Sequence, residues 1–152
     1  MDKIEFKPIG IIHSPYKRPG EAPPSTRGGN GIEGTIELSP EYEQGLSDLD
    51  GFSHITLVSY LHLSDGFNLM VTPHLDNEKR GLFATRAPRR PNPVAVSVVR
   101  LLKIEGTTLH IADMDMIDGT PLLDIKPYVP RGDKDNDVKI GWLEGKLDKH
   151  HK

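Results

Sequence analysis

The sequence predicts a mainly β protein in which about seven short strands and one short helix form a single small barrel. Glycine (15 residues) and proline (13 residues) are spread along all 152 residues, which favours many short elements over a few long helices. The apolar segments between them alternate polar and apolar residues or are rich in β-branched residues, as strands are. A split two-sheet sandwich is the alternative arrangement.

Each strand follows from its local pattern. The first ends at a Ser-Pro pair, and the second, Gly-Thr-Ile-Glu-Leu, alternates as a half-buried strand does. The third is longer, with apolar residues on one face and Val58, Tyr60 and His62 on the other. The fourth is brief, and the fifth is dense in valine. The predicted strands are residues 7–13, 34–38, 54–63, 81–85, 94–102, 108–111 and 122–125.

The helix is predicted directly after the second strand. Ser39 can cap it, and Pro40 suits the first helical position. Tyr42, Leu46 and Leu49 recur at i, i+4 and i+7, which places them on one apolar face. An Asp-Gly pair ends the helix.

Composition excludes several classes of protein. There is no cysteine, which excludes a disulfide framework, a thiolate zinc site and a cysteine nucleophile and permits a reducing compartment. The expected location is cytoplasmic. No apolar run approaches the ~20 residues of a membrane span, so no membrane association is expected. The histidines show no close metal-ligand spacing, and no metal site is expected. We expect one domain over residues 1–147 and a charged, disordered tail over 148–152.

An arginine-rich loop over residues 81–93 is the most informative stretch. It holds Arg86, Arg89 and Arg90 together with three prolines. Proline stiffens the backbone, and the planar fork of arginine suits a carboxylate or a phosphate. The loop is therefore a candidate anion receptor. The alternative is that the arginines pair with surface acids while the prolines only turn the chain.

An acidic turn is the second candidate. Asp113, Asp115 and Asp118 precede a Gly-Thr-Pro turn, and clustered carboxylates can receive a cation or a hydroxyl-rich ligand. A calcium loop is excluded because glycine stands seventh from Asp113 rather than sixth. Turn formation by the aspartates is the alternative. His62, on a predicted strand beside Tyr60, is the best-placed histidine, although from the sequence alone a satisfied core histidine is favoured over a functional one.

The net charge of −3 hides a division of the chain. From residue 79 to 104 there are seven basic residues and no acid, whereas residues 113–148 hold nine acids and five bases. A near-neutral total therefore does not exclude a nucleic-acid partner.

Four blocks in order resemble the TsaA/TrmO-like family of S-adenosylmethionine-dependent tRNA methyltransferases. Phe-Ala-Thr-Arg at 83–86, followed by Arg-Pro-Asn-Pro at 90–93, is similar to the signature of that family. The second block is similar to Asp-Gly-Thr-Pro at 118–121 with Asp-Ile-Lys-Pro-Tyr at 124–128. The opening matches 9–17, and the middle matches Phe-Ser-His at 52–54. The resemblance runs from about residue 6 to 130.

The resemblance implies a β-barrel that binds S-adenosylmethionine, usually as a homodimer with the cofactor near the subunit interface. It implies methyl transfer to the 6-nitrogen of N6-threonylcarbamoyladenosine beside the tRNA anticodon. Carried over to this sequence, the cofactor contacts are Ser25, His62, Arg86, Val96, Asp115 and Asp118. We expect the RNA-binding residues to be Arg89, Arg90, Lys126 and Tyr128. His62 and Asp118 are the candidate proton acceptors, and the sequence does not choose between them.

The implied roles are chemically coherent. Arg86 can hold the carboxylate of S-adenosylmethionine, and Asp115 or Asp118 can accept its ribose hydroxyls. This sequence has Val94-Ala95 where the family often has Ile-Gly, and it lacks a Pro-Arg-Gln-like segment around Ser25. Longer bacterial relatives carry a further C-terminal domain. A non-catalytic barrel that binds a nucleotide or RNA, and a methyltransferase with a small-molecule acceptor, are the alternative functions.

Overall fold

A computed structural model describes residues 2–25 and 30–147. Six of its strands form a closed antiparallel barrel in the order β1-β2-β7-β6-β3-β8, which confirms the predicted small barrel. The remaining two strands, β4 and β5, form a separate two-stranded ribbon. The strands are β1 Gly10–His13, β2 Glu33–Leu38, β3 His54–Tyr60, β4 Met70–Val71, β5 Arg80–Gly81, β6 Val94–Glu105, β7 Thr108–Ala112 and β8 Thr120–Pro127. The predicted tail at 148–152 lies outside the described residues.

The interior of the barrel is filled by alternate residues of its strands. On β3, Ile55, Leu57 and Ser59 are fully buried, and the residues between them lie on the outer face. Other side chains that are fully buried include Ile12, Ile36, Val99, Leu109, Ile111, Met114 and Leu122. Such alternation gives each strand one face toward the core and one toward solvent.

The predicted helix is present as two short 3₁₀ helices. The first covers Pro40–Leu46, and Ser47 ends it because its backbone N–H and its hydroxyl both donate to the Gln44 carbonyl. Asp48 then adopts a left-handed conformation, with φ of 69°, before the second turn at Leu49–Gly51. Ser39 makes no side-chain cap. The apolar face was predicted correctly, since Leu46 and Leu49 are buried.

The strand predicted at 81–85 is wrong. Only Gly81 belongs to a strand, and Leu82–Ala84 form a third 3₁₀ helix. The Thr85 N–H and hydroxyl both donate to the Leu82 carbonyl and close this turn, which buries Leu82. β4, Met70–Val71, lies between the predicted strands at 54–63 and 81–85 and was not predicted.

One mouth of the barrel receives three long connections. Residues 14–32 join β1 to β2, residues 61–93 join β3 to β6, and residues 113–119 join β7 to β8. A Cβ atom at Gly34 would overlap the Met114 side chain and the His13 carbonyl, so glycine allows the third connection to lie over the barrel. We call this end the site mouth. β3 has seven residues, so the opposite mouth is about 20 Å away.

Two further 3₁₀ helices, Gly132–Asp135 and Gly141–Leu143, follow the barrel. Among the described residues, none of the helices has the length and apolar character needed to cross a membrane.

Candidate functional site

The three connections at the site mouth carry most of the predicted site residues. Ser25 lies on the first connection, and His62 and the three arginines lie on the second. Asp115 and Asp118 lie on the third. The connections contact one another at several points. The Ser14 N–H donates to Asp118 Oδ1 over 3.0 Å, and Gly119 faces the His62 ring, whose Nε2 would lie 3.8 Å from a Cβ at that position.

Asp115 is a largely buried carboxylate that lacks a full set of partners. Its Oδ2 accepts a hydrogen bond of 3.4 Å from the hydroxyl of Ser97, which points into the barrel. Its Oδ1 is buried without a hydrogen-bond partner among the described residues. Burial raises the pKa of Asp115 to about 6, against smaller lowering effects of Ser97 and of the Arg86 charge. A buried acceptor without a donor is costly, so a ligand donor here would be favoured.

Asp118, by contrast, is fully engaged by the protein. Its Oδ2 accepts 2.9 Å from Lys17 Nζ, and its Oδ1 lies 3.5 Å from His13 Nδ1 as well as accepting from Ser14. The Lys17 ammonium and the Ser14 N–H hold the pKa of this carboxyl below its usual range. These contacts fasten the third connection to the end of β1.

His62 lies in a turn after β3, not on the strand where the sequence predicted it. β3 ends at Tyr60, and the Leu61 N–H donates to the Pro93 carbonyl over 2.8 Å, which closes the base of residues 61–93. The half-buried imidazole makes no hydrogen bond to another described residue. Its ring nitrogens are therefore available to a ligand.

The three arginines have different surroundings. Arg90 Nη1 donates to the carbonyls of Thr85 and Ala87 at 2.9 and 3.0 Å, and its guanidinium lies over the Phe83 ring at 5.9 Å. Arg86 and Arg89 are exposed and form neither a hydrogen bond nor an ion pair with any other described residue. The alternative interpretation, in which the three arginines pair with surface acids, is therefore wrong for the described residues.

Val96 lies on the other face of the sheet from Asp115. Asp115 contacts Ser97, which points inward, whereas the neighbouring Val96 points outward and is 50% exposed. Side chains of successive strand residues point to opposite faces. A cofactor bound beside Asp115 would therefore reach Val96 only around the edge of β6.

Lys126 and Tyr128 are not brought together with the other predicted residues. They lie at the far end of β8, where the Tyr128 N–H donates to the His54 carbonyl and its ring meets the His54 ring edge-on at 6.3 Å. Lys126 pairs with Asp124 at 3.0 Å. Both belong to the opposite mouth.

The sequence interpretation missed two residues of this region. Ser97 is the one polar position inside a run of valines, and that exception was a signal for an inward polar group. Trp142 lies far along the chain, and its indole Nε1–H donates to the Ala84 carbonyl over 2.8 Å. No local pattern indicated that contact. Among the described residues there is no group of three or more histidine and acidic side chains that could hold a metal ion.

Comparison with known proteins agrees with this architecture. The family described as the tRNA-methyltransferase O N-terminal domain matches residues 11–134. A probable S-adenosyl-L-methionine-binding protein of Pyrococcus abyssi is 51% identical over 149 residues, which cover 98% of this chain and 81% of that protein. The tRNA (adenine(37)-N6)-methyltransferase of Escherichia coli is 31% identical over 95% of this chain and 66% of its own length.

Solved structures show the same relationship. The crystal structure of TrmO from Pseudomonas aeruginosa superposes with a TM-score of 0.76 and 34% identity, and covers 95% of this chain. The chain spans 63% of that TrmO chain. With a family match over residues 11–134 and this shared barrel, the chain belongs to the TsaA/TrmO-like family.

Proposed function

We propose that this chain is an S-adenosylmethionine-dependent methyltransferase that acts on tRNA. The observation that carries the proposal is that two side chains at the site mouth of a TrmO-like barrel lack partners among the described residues: Asp115 has a buried oxygen without a hydrogen bond, and Arg86 forms no hydrogen bond or ion pair. S-adenosylmethionine, when bound, supplies an electrophilic methyl group on a sulfonium.

The side chains at the site mouth fit that molecule. The guanidinium of Arg86 would hold the carboxylate of the amino-acid part, since arginine forms paired hydrogen bonds with carboxylates. Asp115 Oδ1 would accept from a ribose hydroxyl, and a donor there offsets roughly 1–3 kcal/mol of unpaired burial. Two further predicted cofactor contacts, Ser25 and Val96, would lie on the first connection and at the edge of β6.

The proton acceptor is the next assignment. We infer that His62 takes this role, because its imidazole lies beside Gly119 without another described partner. Asp118 was the other candidate. A carboxylate that already accepts from Lys17 and Ser14, with a lowered pKa, is a weak base. Asp118 would instead hold the third connection in place.

The proposed acceptor is the 6-nitrogen of N6-threonylcarbamoyladenosine beside the anticodon. Two features support a tRNA substrate: the name of the E. coli relative, and Arg89, which is exposed and forms no hydrogen bond or ion pair with another described residue. A nitrogen conjugated with a carbonyl is a weak nucleophile, so alignment of that nitrogen with the methyl group supplies much of the acceleration. Arg89 would contact the RNA backbone, and Lys126 and Tyr128 would contact RNA only at the opposite mouth.

We further propose a cytoplasmic homodimer. Exposed apolar side chains surround the site mouth, on the outer face of β3 and β6 and on residues 61–93; they are Tyr60, Leu63, Phe67, Leu69, Met70, Phe83, Val94 and Val96. Exposed apolar side chains on neighbouring elements, where they form one surface, are typical of a protein interface. A second copy of the chain on this face would bring its own residues near Val96.

Calorimetric titration with S-adenosylmethionine tests the proposal first. We expect saturable binding with a dissociation constant below about 1 mM, and transfer of an isotope-labelled methyl group to bulk tRNA. Absence of binding up to millimolar cofactor would contradict the enzyme and favour a non-catalytic barrel. Binding without transfer to tRNA would favour a small-molecule acceptor.

A further inference from the structure

Residues 61–93 carry His62 and Arg86 but have little regular structure of their own. They contain the two-residue strands β4 and β5 and one 3₁₀ turn, Leu82–Ala84. A two-stranded ribbon is marginally stable by itself. The conformation of this insertion therefore depends on what packs against it.

Trp142 makes a contact of this kind. Its indole Nε1–H donates to the Ala84 carbonyl over 2.8 Å, two residues before Arg86. The other hydrogen bonds to residues 82–88 in the described parts of the chain come from within the insertion itself. Trp142 thus supplies the hydrogen bond that ties this turn to another part of the molecule.

Two cations and one carboxylate strengthen the contact. Arg80 Cζ and Lys146 Nζ lie 5.7 and 5.3 Å from the centroid of the Trp142 ring, which is cation–π distance. Both cations also bind Asp76, Arg80 Nη2 at 2.6 Å and Lys146 Nζ at 3.0 Å. The Asp76 side chain is only 9% exposed, and Lys146 and Arg80 hold its pKa well below the usual range.

We propose that Trp142 is a positioning residue for the cofactor site: by holding the Ala84 carbonyl, it keeps the turn before Arg86 in its binding conformation. Trp142 lies beyond residue 134, where the family match ends, so this support comes from outside the matched domain. The inference rests on the proposed function, because Arg86 there receives the carboxylate of S-adenosylmethionine. Trp142 would therefore affect binding of the amino-acid end of the cofactor and not of its nucleoside end.

The test removes the hydrogen bond and keeps the ring. Trp142→Phe loses the indole N–H but leaves an aromatic face for Arg80 and Lys146. In the full chain, we expect calorimetry to show S-adenosylmethionine binding about 2- to 10-fold more weakly, the range for one lost hydrogen bond. Binding of methylthioadenosine, which lacks the amino-acid carboxylate, stays as in the wild type. Tyr42→Phe, which removes a hydroxyl near the opposite mouth, is the matched control and leaves both affinities unchanged.

Amide hydrogen exchange provides a measurement that does not depend on a ligand. In Trp142→Phe, we expect faster exchange at Thr85 and Ala87, whose N–H groups are bonded inside the turn, and unchanged exchange at the barrel residue Val99. Unchanged exchange in the turn would overturn the inference, as would unchanged affinity for S-adenosylmethionine or equal weakening of both ligands. Failure of the wild type to bind S-adenosylmethionine would instead overturn the proposed function.

Discussion

Arg90 holds the backbone on both sides of Arg86. Its Nη1 donates to the carbonyl of Thr85 at 2.9 Å and to that of Ala87 at 3.0 Å, so the two arginines of one loop have different tasks. Arg90 donates hydrogen bonds to the backbone of its own loop, whereas the donors of Arg86 form no hydrogen bond with another described residue and can bind a ligand. This division explains how a loop with three arginines can be rigid and still present a free charge.

Replacement of Arg90 tests that division. Arg90→Lys keeps the charge but loses the planar fork, so we expect S-adenosylmethionine to bind a few-fold more weakly, by about 2- to 10-fold. Arg89→Lys is the matched control, because Arg89 has no described partner to lose, and its affinity stays as in the wild type. Equal affinities of the two variants would show that the fork of Arg90 does not organise the loop.

Arg86→Ala removes the proposed carboxylate partner. A hydrogen bond to a charged group contributes roughly 1.5–3 kcal/mol, so we expect the dissociation constant for S-adenosylmethionine to rise about 10- to 150-fold. Arg131→Ala removes an arginine whose partner is the exposed Asp135, and it leaves cofactor binding unchanged. Calorimetry on the three proteins makes the comparison, and retained affinity in Arg86→Ala would refute the assigned role.

Arg89 is expected to act on RNA alone. Arg89→Ala should weaken tRNA association and lower the slope of log affinity against log salt by about 1, since one phosphate contact is lost. The affinity for S-adenosylmethionine should not change. Filter binding across a salt series makes the measurement, and a salt slope identical to that of the wild type would mean that Arg89 does not touch the phosphate backbone.

Asp115 predicts a pH dependence of stability. Its pKa is raised to about 6 in the folded protein by burial, so between pH of about 4 and 6 the folded state keeps a proton that the unfolded state has lost. The protonated Asp115 therefore stabilises the folded state relative to the ionised form. This stabilisation is fully present below a pH of about 4 and is lost as the pH rises through about 6. The loss is at most about 3 kcal/mol.

Subtraction isolates that contribution from other carboxylates. The free energy of unfolding of the wild type minus that of Asp115→Asn, from urea titrations between pH 4 and about 7, should fall across this window. A flat difference would show that Asp115 titrates normally. Saturating S-adenosylmethionine at pH 7 should restore stability to the wild type more than to Asp115→Asn, because the ligand pairs the free oxygen.

His62 and Asp118 are separated by turnover and affinity. His62→Gln should lower kcat by about 100-fold or more, a much larger factor than any change in cofactor affinity, because the proposed proton acceptor is lost. Asp118→Asn weakens the contacts to Lys17 and Ser14, so it should lower the melting temperature and change kcat much less. A larger kcat loss in Asp118→Asn than in His62→Gln would reverse the assignment.

Local patterns in the sequence were enough to predict the barrel strands. Alternation and β-branched runs locate β2, β3 and β6 to within a few residues, because one face of each must be buried. The strand predicted at 81–85 failed for an identifiable reason. Leu82 and Phe83 look like strand residues, but Thr85 closes a 3₁₀ turn that buries Leu82, and this side-chain bond has no periodic signal.

The candidate site was predictable in composition but not in organisation. The arginine loop and the acidic turn were found from the sequence, and the barrel brings them to one mouth because the connections after β3 and β7 leave from the same end. The distinction between Arg86 and Arg90, and the contact of Trp142 with Ala84, depend on three-dimensional hydrogen bonds. Lys126 and Tyr128 were expected to bind RNA together with Arg89 and Arg90, whereas the direction of β8 carries them to the other end of the barrel.

Mass spectrometry of tRNA nucleosides tests the central claim most directly. The purified chain is incubated with tRNA that contains N6-threonylcarbamoyladenosine and with S-adenosylmethionine near the dissociation constant of the wild type, and the Arg86→Ala variant serves as the weak-binding control. We expect this nucleoside to gain one methyl group on its 6-nitrogen with the wild type, and at an initial rate at least several-fold lower with the variant, because the variant binds less cofactor. An unmethylated nucleoside after prolonged incubation with a wild-type protein that binds the cofactor would contradict the central claim.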